Sequence, residues 1–141
     1  MADSTADTRA ACEALIFNFA YHIDHHEFDL AIDQFANDAV FERPDGALSG
    51  HGEMRSFWSG RSPNHVTRHL CHRPHFLETS TGTARAVTQV TLYQAEKAEG
   101  APIAQVAGPM GIVEFHDTFV RGASGWKIAH RKAVPVLIYT K

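Results

Sequence analysis

Residues 63–95 read PNHVTRHLCHRPHFLETSTGTARAVTQVTLYQA, and beyond Pro63 the residue pattern changes from helical to strand-like. The alternation predicts a strand over residues 65–77, a turn at Ser80-Thr81-Gly82-Thr83, and a second strand over residues 84–95 carrying Val87, Val90, Leu92 and Tyr93. Glu99-Gly100-Ala101-Pro102 breaks that strand. A third is expected over residues 103–121, with a bend or bulge at Gly108-Pro109. After the turn Gly122-Ala123-Ser124-Gly125, the last strand is expected over residues 126–139.

Before Pro63 the pattern is helical. The segment AACEALIFNFAYHID (residues 10–24) has no Gly or Pro and is rich in helix formers. It predicts a helix from about position 6 to Asp24 or His26, capped by Thr5 or Asp7 after a loose start within residues 1–7. A second helix is expected over residues 28–36 and a short strand over 38–42, ending at Pro44 with a turn at Asp45-Gly46. A short helix over residues 53–59 follows. Helices first and then a meander of four long strands predict an α+β chain with a curved antiparallel sheet, not a doubly wound parallel one.

The 141 residues fit a single domain over 1–141, with no internal repeat and no linker. Thirteen Lys and Arg against sixteen Asp and Glu argue against a nucleic-acid partner. No run of 18 apolar residues is present, which argues against a membrane span. The start MADSTADTRAACEA lacks a basic segment followed by an apolar one, so a cytoplasmic setting is expected. Cys12 and Cys71 make no disulfide framework and read as packing thiols.

Ten histidines stand out, and the question is which of them carry chemistry. On an ideal helix with Phe17 at zero, Tyr21 falls near ~40°, Asp24 near ~−20° and Phe28 near ~20°. Ile16, Ala20 and Ile23 form the adjacent apolar face. Asp24 therefore sits beside apolar surface, where a carboxylate needs a partner. On spacing alone it reads equally as a solvated helix-end residue and as a functional group. His22, His25 and His26 fall on the other side, toward solvent or a subunit contact.

In the strand Val66-Thr67-Arg68-His69-Leu70-Cys71-His72, residues Thr67, His69 and Cys71 share one face, and Arg68, Leu70 and His72 the other. The spacing His69-x-x-His72-x-x-His75 imitates a metal motif. On a strand, however, His72 opposes the other two, and His69 and His75 lie about 20 Å apart. No metal and no cofactor are expected. There is no G-x-S-x-G, P-loop, G-x-G-x-x-G or C-x-x-C pattern. Cys71, two residues from His69 on one strand, is poorly placed as a nucleophile.

The run Tyr21-x-x-Asp24-x-x-x-Phe28-Asp29-x-x-x-x-x-Phe35-x-x-Asp38-Ala39 resembles the start of SnoaL-like domains of the nuclear transport factor 2-like superfamily. The resemblance continues through Leu48-x-Gly50, Thr67-Arg68-His69-Leu70 and Gly125-Trp126-Lys127-Ile128-x-x-Arg131. It implies an α+β cone-shaped roll, with N-terminal helices packed on a strongly curved antiparallel or mixed sheet that encloses a pocket. The pattern is most similar to the branch containing scytalone dehydratase, hexachlorocyclohexane dehydrochlorinase and bile-acid 7α-dehydratase.

Carried over position by position, the resemblance implies an Asp24–His69 dyad, with Tyr21 and Arg131 as further catalytic groups. His130 and Arg131 leave opposite faces of the last strand, and the resemblance favours Arg131. Phe17, Phe28, Trp58 and Met110 are the expected substrate-binding residues. A second histidine on the next strand, present in scytalone dehydratase-like members, is replaced here by Val87-Thr88-Gln89-Val90-Thr91. Thr88 or Gln89 could hold a water there, and His116 is a further candidate.

The implied activity is that of a cofactor-free lyase or isomerase on a small hydrophobic molecule such as a steroid, polyketide or aromatic compound. The alternatives are a non-catalytic binding or accessory domain, or the small subunit of an enzyme such as a ring-hydroxylating dioxygenase. A homodimer or homotrimer is expected.

Overall fold

The first helix, α1 (Thr5–Asp24), begins where the Ser4 hydroxyl accepts a hydrogen bond from the Asp7 backbone N–H at 3.1 Å. The computed structural model describes residues 4–140. Ser4 rather than Thr5 or Asp7 is thus the cap, and residues 5–7 are helical rather than loose. The remainder of the expected loose start, residues 1–3, lies outside the described residues. One face of α1 is buried, with Cys12, Leu15, Ile16, Phe19, Ala20 and Ile23 against the sheet.

The chain then turns sharply at His26, whose φ of 59° lies in the left-handed region. The ring of His26 helps hold the turn, its Nε2 donating to the His65 carbonyl at 2.7 Å. The next helix, α2 (Phe28–Ile32), has only five residues, and the expected helix to position 36 is not formed. Phe35 instead opens β1 (Phe35–Arg43), buried and paired with Ile128. Tertiary pairing overrides local propensity here, because a buried aromatic and a backbone bond from Ile128 N–H to the Gln34 carbonyl outweigh one further helical turn.

A tight turn through Gly46, at φ 135°, leads into β2 (Gly46–Ser49), which pairs antiparallel with β1. The sequence pattern did not disclose this strand. Helix α3 (Gly50–Ser59) starts three residues before the expected position and buries Met54 and Trp58.

The remaining strands are β3 (His65–Cys71), β4 (His75–Thr79), β5 (Thr83–Glu96), β6 (Gly111–Gly122) and β7 (Gly125–Ile138). The expected strand over 65–77 is two strands, because the stretch containing Pro74 interrupts the ladder, yet both pair with β5. The third long strand starts at Gly111 rather than at position 103; residues 101–110, with Pro102 and Pro109, stay outside the sheet. The sheet order is β2-β1-β7-β6-β5-β3, with β4 beside β5. All pairings are antiparallel except β1 with β7, so the sheet is mixed, curved and unclosed, and the helices pack on it in an α+β arrangement. No helix among the described residues is long and apolar enough to cross a membrane.

Phe19 is the hub of the core, with ring centroids 5.5 Å from Phe35, 5.9 Å from Trp58 and 6.2 Å from Phe41. At the start of β6 the backbones of β6 and β7 approach so closely that a Cβ at Gly111 would lie 2.0 Å from the Leu137 carbonyl oxygen. A backbone oxygen in a ladder cannot swing aside. Gly111→Ala is therefore expected to destabilise the fold by about 1–3 kcal/mol, read as a lower midpoint in urea unfolding. A midpoint equal to wild type would contradict this close approach.

Candidate active site

The last residue of α1 is a buried carboxylate, and β3 crosses directly over it. Asp24 Oδ1 accepts from the Thr67 hydroxyl at 2.8 Å, and Oδ2 accepts from the His69 backbone N–H at 2.8 Å. The His69 ring completes the set, with Nδ1 2.6 Å from Asp24 Oδ1. Both side chains are largely shielded, at 6% exposure for Asp24 and 13% for His69. A carboxylate acceptor requires Nδ1 to carry a proton, so in the neutral ring Nε2 is the nitrogen with the free lone pair. Nε2 makes no hydrogen bond among the described residues, and the His69 ring lines a cavity between Phe19 and Phe115, 6.4 Å from each ring centre.

Burial pushes the Asp24 carboxyl up. The hydrogen bonds and charge of His69, with the Thr67 hydroxyl, act the other way and leave it below its ordinary value. A depressed carboxylate stabilises the fold above the unfolded-state value of about 3.9 and ceases to do so as pH falls through the folded value. The thermal midpoint of wild type is therefore expected to drop more steeply than that of Asp24→Asn as pH falls below about 4. Parallel acid slopes for the two proteins would show that Asp24 contributes no such linkage.

The cavity has a volume of about 290 Å³. Its walls are mostly apolar, and Trp58 and Met110 are among them. Phe17, Tyr21 and Phe28 are not. Phe17 and Tyr21 are 39% and 57% exposed, and Tyr21 stacks on His25 with centroids 4.1 Å apart. The buried face of α1 is centred near Ile16 and Ile23, roughly 110° around the helix from Phe17. That turns Phe17 and Tyr21 away, and Asp24 reaches the sheet from the edge of the face. Phe28 does not continue the helix at all, because the turn at His26 changes the phase, and its ring packs beside that of His26 at 5.3 Å.

Arg131 does point inward, but it lies behind the aromatic wall rather than in the cavity lining. Its Nε and Nη2 donate to Asp117 Oδ1 and Oδ2 at 2.7 and 2.9 Å, and the guanidinium stacks 4.0 Å from the Phe115 ring centre and 4.7 Å from that of Phe19. His130 and His116 face outward beside Glu42 and Glu114. Thr88 is fully buried outside the cavity lining, and Gln89 is exposed. Burial pushes the Cys12 thiol up to about 12 and the Cys71 thiol to about 11, so neither offers a thiolate near neutral pH. Among the described residues no group of three His, Cys, Asp or Glu side chains is placed to hold a metal ion.

Sequence reasoning missed two cations. Arg43 and Arg61 both line the cavity. Alternation along β1 puts Phe41 and Arg43 on one face, a signal that was available. Arg61 follows the end of α3 in a loop, where no periodicity could mark it.

The model of the SnoaL-like domain family matches residues 4–132. No curated protein matches the sequence. Among solved structures, a candidate scytalone dehydratase from Novosphingobium aromaticivorans superposes with a TM-score of 0.79 at 17% identity, over 96% of this chain and 90% of that one. A candidate aromatic ring hydroxylase from the same species gives 0.78 at 19% identity, over 95% and 92%. LinA gives 0.73 at 16% identity, over 96% and 95%. With nearly the whole chain matched by the family model and shared with these folds, the protein belongs to the SnoaL-like domain family and has the nuclear transport factor 2-like fold.

Proposed function

We propose that this protein is a cofactor-free lyase or isomerase that abstracts a proton from a small, largely hydrophobic substrate. The observation that carries the reading is the 2.6 Å contact between His69 Nδ1 and Asp24, with the His69 ring on the cavity wall. His69 Nε2 takes a proton from a carbon acid, and the C–H electron pair forms a new C=C bond. In a dehydration the adjacent C–O bond breaks, and the imidazolium returns the proton to the departing oxygen, which leaves as water. In a dehydrohalogenation the halide leaves with its electron pair. In an isomerisation the proton returns to a different carbon. Asp24 holds the tautomer and stabilises the imidazolium throughout. None of these steps requires a metal or organic cofactor. The name of one neighbour, a candidate scytalone dehydratase, agrees with this class of reaction.

The test is a panel of hydroxylated and halogenated aromatic, steroid and polyketide compounds incubated in deuterated water. Loss of water or halide, or deuterium entry at carbon, is expected for wild type and not for His69→Gln. Turnover that survives in His69→Gln would refute the dyad.

A second reading, a binding or accessory subunit, has its own support. Val136, Leu137, Ile138 and Tyr139 are exposed, as are Ile103 and Val106. A surface of this kind favours self-association, as a dimer or trimer, or docking to a larger subunit. Ligand binding without turnover across the panel would favour it.

A further inference from the structure

Two guanidinium groups line a mostly apolar cavity, and the dyad does not use them. Arg61 Nη1 is buried and has no hydrogen-bond partner among the described residues. Arg43 is held over the Phe57 ring at 4.1 Å, and its ion pair is a long one, 3.4 Å to an Asp45 that is mostly exposed. Partial burial disfavours the Arg61 charge, and the nearby Arg43 charge disfavours it further. The carboxylate whose charge favours that of Arg61 is Asp24, and it already accepts three hydrogen bonds from β3. A buried guanidinium N–H without a hydrogen-bond acceptor is costly unless something supplies one.

We propose that the substrate carries a carboxylate, seated against Arg43 and Arg61, with its hydrophobic body along the aromatic wall beside His69. This deepens the proton-transfer reading and rests on it for the word substrate, although the binding claim stands apart from the chemistry. Guanidinium matches a planar carboxylate through paired N–H donors, so the missing partner of Arg61 Nη1 is of the right kind. The mostly apolar walls favour a hydrophobic body for the rest of the ligand over a small polar acid.

The experiment is calorimetric titration with 2-naphthoate and with its neutral analogue 2-naphthamide. Wild type is expected to bind the carboxylate at least about tenfold more tightly than the amide. Arg61→Met and Arg43→Met are each expected to shrink that preference, and the double variant to abolish it. Arg61→Lys should retain part of it. Arg61→Met is also expected to keep or raise the thermal midpoint, since it removes a half-buried guanidinium whose buried Nη1 has no acceptor; a purely structural arginine would lower it. Equal affinity for the two probes, binding of neither, or a preference that survives the double variant would overturn the proposal. His69→Gln is expected to keep the preference. A protein that turns over substrate but prefers the amide retains the dyad and loses this inference. One that prefers the carboxylate and performs no chemistry does the reverse.

Discussion

His69→Gln is expected to lower kcat/KM by about 10²–10⁴-fold on any compound the protein converts, the usual contribution of a positioned acid–base group. Glutamine keeps the size and polarity of the site but cannot take a proton from carbon. The fold should survive, because the His69 backbone N–H and the Thr67 hydroxyl still hold the Asp24 carboxylate. The loss of one charge-assisted hydrogen bond is expected to cost about 1.5–3 kcal/mol of stability. Asp24→Asn is expected to bring a comparable loss of rate by the opposite route, leaving the base present in the wrong tautomer. Combining the two changes should cost little more than one alone, since they act as a unit. Additive losses would mean that the two residues work separately, and full activity in His69→Gln would move the chemistry elsewhere.

The second large effect is on folding. Asp117→Asn, or Arg131→Met, is expected to destabilise the protein by about 3–5 kcal/mol, because each leaves the other charge buried without its partner. For a chain of this size that is a drop of roughly 10 °C or more in thermal midpoint. The pair is fully shielded and bidentate, and the aromatic faces of Phe115 and Phe19 that flank Arg131 cannot replace a carboxylate. Replacing both members together, Asp117→Leu with Arg131→Met, is expected to recover much of the loss. If the double variant were no better than the single ones, the bidentate pair itself, rather than the orphaned charge, would be what the core requires.

The contrast between Asp24 and Tyr21 shows how far the sequence could be read. Asp24 and His69 were identified through motif positions, and alternation correctly set His69 on the face with Thr67 and Cys71. The distance that joins Asp24 to His69 was not legible, because it depends on where β3 crosses the end of α1. Tyr21, Phe17 and Phe28 were grouped on a helical face that is real in α1 but is not the buried one. Only the sheet decides which face is covered. The short α2 and the missed β2 have one cause: both answer to the strand between them, and the pairing of Phe35 with Ile128 is invisible to any local window. Arg61 carried no periodic signal, whereas Arg43 did, through its alternation with Phe41.

The parallel pairing of β1 with β7 sets the order in which this molecule can assemble. Phe41 lies opposite Arg131, so the β1–β2 hairpin has no neighbour on its other side until almost the whole chain has left the ribosome. Until then it is an unpaired edge, open to pairing with another nascent chain. Closing so long a loop comes late and slowly, since its entropy is lost before the contact is made. The cavity draws Phe41 and Trp58 from the early part of the chain and Phe115 and Leu137 from the late part. It therefore exists only once the early and late parts of the chain have come together, and a ligand that fits it stabilises the folded state against the unfolded one.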